Sequence, residues 1–159
     1  MVESDKYKSS LARVMVLCSK REYCIDDIRV KLNSWGIDEN ECDKIIKRLI
    51  SENFLNETRY CLAFTRDKFR YNKWGKVKIA AHLKAKRIPG ENIQEALDSI
   101  DNELYVNTLN DMLAVHKKHI TAKNQYDLKG KLLRYGLSKG FESGLLYDVL
   151  NNTLNKERY

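Results

Sequence analysis

Proline occurs once, at Pro89, and glycine only seven times in 159 residues. That is too little of the punctuation an all-β chain needs at its turns, and it favours helices. No apolar run is long enough to cross a bilayer and no apolar leader follows Met1, so the expected location is cytoplasmic. The NxT triplets at Asn56 and Asn151 then carry no glycosylation meaning. Four cysteines, Cys18, Cys24, Cys42 and Cys61, fall in the first 61 residues without a CxxC pair. A zinc ribbon and a thioredoxin-like motif are thereby excluded, and reduced core thiols are expected.

Catalytic patterns are missing as well. A phosphate-binding loop needs a glycine five residues before Gly-Lys, but Gly75-Lys76 has Arg70 there and Gly130-Lys131 has Gln125. His116 and His119 share a helical face without a third ligand at a recognisable spacing, and His82 stands alone. There is no GxSxG elbow, and no Cys is spaced from a His and a carboxylate as in a nucleophilic site. The chain reads as a protein without catalysis, cofactor or metal.

What the chain does have is helical periodicity. Leu11, Val14, Met15 and Cys18 fall on one face after Ser9 and Ser10, and Ile25, Ile28, Leu32 and Trp35 on another, with Asp26 and Asp27 placed for a helix N-terminus. Asp38 and Glu41 have capping-box spacing ahead of Cys42, Ile45, Ile46 and Leu49, and Asn53 is a candidate left-handed stop. Aligning Gly36, Arg87 and Gly140 exposes a repeat. Eight residues before each lie Ile28, Ile79 and Leu132, and one after lie Ile37, Ile88 and Phe141. Six on come Cys42, Ile93 and Leu146, and nine and ten on come Ile45-Ile46, Ala96-Leu97 and Val149-Leu150. The match weakens four before the anchor, at Leu32, Leu83 and Gly136.

Spacings of 51 and 53 residues suit units of helix, helix, short turn and helix. The expected fold is therefore all-α: three tandem three-helix repeats over 1–55, 56–101 and 102–159 in an elongated, curved array. In the second, helices are expected from Glu57 to about Tyr71 and from Gly75 to about Lys86, with Pro89-Gly90 turning into a third whose inward face is Ile93, Ala96, Leu97 and Ile100. The third should begin near Asn102, with Tyr105, Leu109, Met112, Leu113 and His116 inward.

Charge singles out the second repeat. From Arg59 to Ile88 there are ten Lys or Arg against one acid, Asp67, whereas 1–58 holds ten basic to eleven acidic residues and 88–159 nine to ten. The net charge of +7 is thus local, and Tyr60, Phe64, Phe69, Tyr71 and Trp74 are interleaved with it. A solvated helix face is one explanation, and a surface for an anionic partner is the other. The candidate contact residues are Arg59, Arg66, Lys68, Arg70, Lys73, Trp74, Lys76, Lys78, Lys84, Lys86 and Arg87. Tyr60 and Phe64 have the spacing of core residues.

The run from Asn56 to Ile88 resembles the signature of the RecX family of bacterial regulatory proteins. Glu57, Arg59-Tyr60-Cys61, Lys73-Trp74-Gly75-Lys76-Val77-Lys78-Ile79 and Leu83-Lys84-Ala85-Lys86-Arg87-Ile88 follow in register. In the third repeat Leu132-Leu133-Arg134-Tyr135 and Lys139-Gly140-Phe141-Glu142 fit too, so the likeness covers essentially the whole chain. Cys61 stands where the family usually has Ala. Arg87 stands where it has Gly, the residue best suited to a positive φ, so this turn is expected to differ locally. The resemblance implies binding to the RecA recombinase, chiefly as its filament on single-stranded DNA, and suppression of ATP hydrolysis, filament growth and strand exchange. The rival readings are a helix-turn-helix protein that binds DNA through the basic repeat, and a scaffold in which the basic block does nothing.

Overall fold

The computed structural model describes residues 4–156, with side chains described for 4–154. Nine α-helices and no strand occur among these residues. They are α1 (Asp5–Lys20), α2 (Ile25–Ser34), α3 (Glu39–Ser51), α4 (Glu57–Asn72), α5 (Lys76–Ala85), α6 (Gly90–Asp98), α7 (Asn102–Lys118), α8 (Gln125–Ser138) and α9 (Ser143–Lys156). Side-chain caps set several N-termini: Ser4, Cys24, Asp38, Asp101 and Asn124 each accept from a backbone N–H three residues on. Ser4 starts α1, so Ser9 and Ser10 lie inside that helix. Only half of the box at Asp38 forms, because the Glu41 carboxylate accepts from Ser4 Oγ at 3.0 Å instead of turning back.

The repeat is a repeat of turn geometry. α2, α5 and α8 each end two residues before a left-handed residue, at Gly36 (φ 77°), Arg87 (φ 58°) and Gly140 (φ 92°), and the next helix starts three residues after it. In each turn the following residue donates back five positions, Ile37 to Leu32, Ile88 to Leu83 and Phe141 to Gly136, while the left-handed residue itself donates three positions back. This is the Schellman arrangement. The turn at Arg87 therefore keeps the shared geometry, contrary to the expected local difference. An exposed arginine holds the positive φ at a cost of about 1 kcal/mol relative to glycine. Asn53 (φ 65°) closes α3 as its type suggests, and Phe54 N–H donates to Leu49 O at 2.8 Å.

All the aligned apolar residues of the three repeats are buried. At Gly136 a Cβ would collide with the Leu146 δ-carbons. Leu146 fills the space that a side chain four before the anchor would need, which accounts for the weak match there.

The chain forms two compact units, 1–64 with 83–94 and 65–82 with 95–159. In the first, Val14, Ile28, Leu32, Ile45 and Leu49 are fully enclosed, and Tyr7, Tyr23, Ile37 and Leu55 complete the core. In the second, Ile79, Tyr105, Leu109, Phe141, Leu146 and Leu150 are large side chains that are fully enclosed. Met112 and Leu113 are buried, while His116 is half-buried and stacks on Tyr135 at 3.7 Å between ring centroids. Ile100 lies in the turn after α6, half-buried.

Candidate functional site

In the second unit, the connection between α4 and α5 is fastened to the turn between α8 and α9. Lys73 (φ 57°) ends α4, and Trp74 N–H donates to Lys68 O at 3.1 Å. The next three amides are then taken in succession. Gly75 N–H donates to Lys139 O at 2.7 Å, Lys76 N–H to the Tyr105 hydroxyl at 2.9 Å, and Val77 N–H to Gly140 O at 2.9 Å. A helix start usually leaves its first amides open, which suits it to anions. Here protein oxygens fill that role, so any anion at this end of α5 must be met by side-chain cations.

Those cations are arranged on aromatic rings. Lys68 Nζ and Lys78 Nζ lie 4.9 and 4.7 Å from the Trp74 ring centre, within cation–π range. The His82 ring sits 4.5 Å from the same ring. Lys76 Nζ lies 4.8 Å from the Tyr105 ring, and the Arg70 guanidinium 5.6 Å from that of Tyr71, which is 71% exposed. Lys73 and Arg70 are exposed, and Lys76 and Lys78 half-exposed. Among the described residues no carboxylate comes within ion-pairing distance of Arg70, Lys73, Lys76 or Lys78. Arg66, also in this unit, pairs with its neighbour Asp67 at 3.4 Å.

The remaining candidates belong to the first unit, where two of them brace the fold. Arg59 Nε donates to Glu22 at 2.6 Å, and its other nitrogens donate to the Asn53 side chain and to the Asn53 and Phe54 carbonyls. Arg59 thereby ties α4 to the C-terminal turn of α3. Lys86 is ion-paired with Asp27. Lys84 and Arg87 are exposed and unpaired among the described residues. Tyr60 is buried and stacked on the half-buried Phe64 at 5.8 Å, as their spacing indicates.

Sequence reasoning did not single out Tyr105 or Glu142 as supports of this surface. Tyr105 is 1% exposed, packed between Phe69 (5.6 Å) and Phe141 (5.1 Å), and its hydroxyl donates to a Glu142 carboxylate oxygen while accepting from Lys76 N–H. Burial and the carboxylate beside it push the Tyr105 phenol up from its ordinary value, which keeps the donor proton in place. No local signal announces contacts 29 and 37 residues apart.

Burial works against a reactive thiolate at Cys18, Cys24 and Cys42. Cys24, Cys42 and Cys61 are buried and Cys18 is half-buried. Burial raises Cys18 and Cys42 and pushes Cys24 up to about 12. Among the described residues no group of three His, Cys, Asp or Glu could hold a metal ion, and no helix is long and apolar enough to cross a membrane.

Residues 56–97 match the family model described as the second three-helix domain of RecX. Regulatory protein RecX of Clostridium botulinum strain Alaska E43 is 33% identical over 173 residues, covering 99% of this chain and 79% of that protein. Its counterpart in strain Eklund 17B is 34% identical over 137 residues, covering 83% of this chain and 62% of that protein. A crystal structure of the regulatory protein RecX superposes with a TM-score of 0.83 at 20% identity, covering 93% of this chain and 72% of the other. That of RecX from Lactobacillus salivarius gives 0.78 at 22%, covering 93% and 96%.

Proposed function

From the premise that this chain belongs to the RecX family of regulatory proteins, we propose that it binds the RecA recombinase filament on single-stranded DNA through the basic surface around the α4–α5 connection. Binding there lowers ATP hydrolysis, filament growth and strand exchange, in a cytoplasmic protein that carries out no catalysis of its own. The observation that carries this reading is the set of Arg70, Lys73, Lys76 and Lys78, four cations without carboxylate partners among the described residues, carried at the end of α4, in the α4–α5 connection and on the first turn of α5 within one unit. Cations unneeded for internal pairing are available to an anionic partner, whether filament carboxylates or exposed phosphates. Lys84 and Arg87 are two further exposed cations, in the first unit. Several weak contacts along a repeating filament would combine through avidity.

The helix-turn-helix alternative requires a basic recognition helix after the tight turn. In the basic repeat that helix is α6, which carries Glu91, Glu95 and Asp98 and no Lys or Arg. The charge sits on the wrong helices for that mode.

Co-sedimentation with the cognate recombinase, with and without single-stranded DNA and across a salt series, tests the proposal. Retention with the assembled filament supports it, and absence of retention at every salt concentration overturns it. A steep salt slope assigns phosphate contacts and a shallow one protein contacts.

A further inference from the structure

The basic charge of the site lies in the second repeat, but the groups that fix its backbone come from the third. Tyr105 of α7 makes one contact at each level. Its hydroxyl accepts the first amide of α5, from Lys76, and its ring lies under the ammonium of the same residue at 4.8 Å. Its proton goes to Glu142, in the turn that also receives Gly75 N–H and Val77 N–H on Lys139 O and Gly140 O. A phenylalanine would keep the ring between Phe69 and Phe141 while leaving the Lys76 amide and the Glu142 carboxylate without their shared partner.

We infer that Tyr105, oriented by Glu142, is a positioning residue for the filament-binding surface, setting the direction in which Lys76 and its neighbours Lys73 and Lys78 present their charges. This rests on the proposed function, since it concerns how the same surface is held. Its ground is that Tyr105 secures both the backbone and the side chain of one lysine. Loss of the hydroxyl frees the start of α5 to shift, and charges that shift independently meet a fixed anionic lattice less well.

The test compares Tyr105→Phe, Glu142→Ala and Glu142→Gln in the full chain, with filament retention and hydrogen exchange at the Lys76 amide measured well below each melting midpoint. Tyr105→Phe and Glu142→Ala are expected to weaken retention roughly three- to tenfold, the scale of one net hydrogen bond, and to speed Lys76 exchange. Glu142→Gln keeps an acceptor for the phenol and should restore most of the affinity. A cycle with Lys76→Gln adds a readout that a merely structural role does not move: removing the Lys76 charge should cost less affinity in the Tyr105→Phe background than in the wild type. Additive effects, or Tyr105→Phe binding as tightly as the wild type, would overturn the inference while leaving the proposed function standing. A wild-type protein that is not retained overturns both.

Discussion

Gly75 and Gly140 meet backbone to backbone. A Cβ built on Gly75 would run into the Gly140 carbonyl and the Phe141 amide, and one built on Gly140 would run into Lys78. Neither obstacle is a flexible chain end, so the close approach that lets Gly75 N–H and Val77 N–H reach the α8–α9 turn depends on both residues lacking a side chain. Gly75, within the run from Lys73 to Ile79, thus has a steric reason, and its counterpart lies 65 residues away in the third repeat.

Gly75→Ala and Gly140→Ala should each lower stability, by about 1–3 kcal/mol from overpacking, with a further cost of about 1–2 kcal/mol at Gly140 from its positive φ. Urea denaturation reads this directly. Unchanged midpoints would show that the two turns can separate without loss.

Arg87→Gly should act in the opposite direction. The arginine is exposed and left-handed, so glycine relieves backbone strain and stabilises the chain by about 0.5–1 kcal/mol. A lower urea midpoint would mean that the guanidinium does something for folding that the geometry does not reveal.

Arg59→Ala should be felt in stability before affinity. It leaves Glu22, one of whose oxygens is already buried without a partner, facing no cation, and it strips the Asn53 and Phe54 carbonyls of their donor. A loss of roughly 1.5–3 kcal/mol is expected for hydrogen bonds of a charged group. A variant of full stability that failed only in filament binding would instead place Arg59 in the contact surface.

Glu57 gives a pH signature. Burial is the main cause of its raised carboxyl pKa, although Ile25 N–H, donating to it at 2.9 Å, pulls the other way. A carboxyl raised on folding opposes folding where it is charged in both states, and that opposition is lifted as pH falls through its folded pKa. Wild type should therefore gain stability relative to Glu57→Gln on acidification through that range. Stability curves that run parallel would contradict the assignment.

Much of this architecture was legible in the sequence because it is written locally. Apolar spacing at Ile28, Ile79 and Leu132 identifies inward faces, Asp38 marks a helix start, and Asn53 a stop. The basic block was equally plain, but its division was not: nothing in the run itself distinguishes Arg59, bound to Glu22, from Lys78, which rests on Trp74. Ion-pair partners depend on where distant helices pack, as with Lys86 and Asp27. Lys73 adopts a positive φ although lysine carries no preference for it, because the connection it opens is held by Lys139, Gly140 and Tyr105. Those tertiary hydrogen bonds override local propensity.

The central claim is tested most directly by DNA-dependent ATP hydrolysis of the cognate RecA in the presence of two charge-reversed variants. One carries Lys68→Glu, Arg70→Glu, Lys73→Glu and Lys76→Glu; the other carries the same change at Lys117, Lys118, Lys123 and Lys129. The two alter net charge equally, and exposed charges individually contribute less than about 1 kcal/mol to folding, so circular dichroism should show both helical. Wild type should suppress hydrolysis, the first variant should lose that suppression, and the second should lose less. Hydrolysis unaffected by saturating wild-type protein, or folded variants that behave alike, would contradict the account.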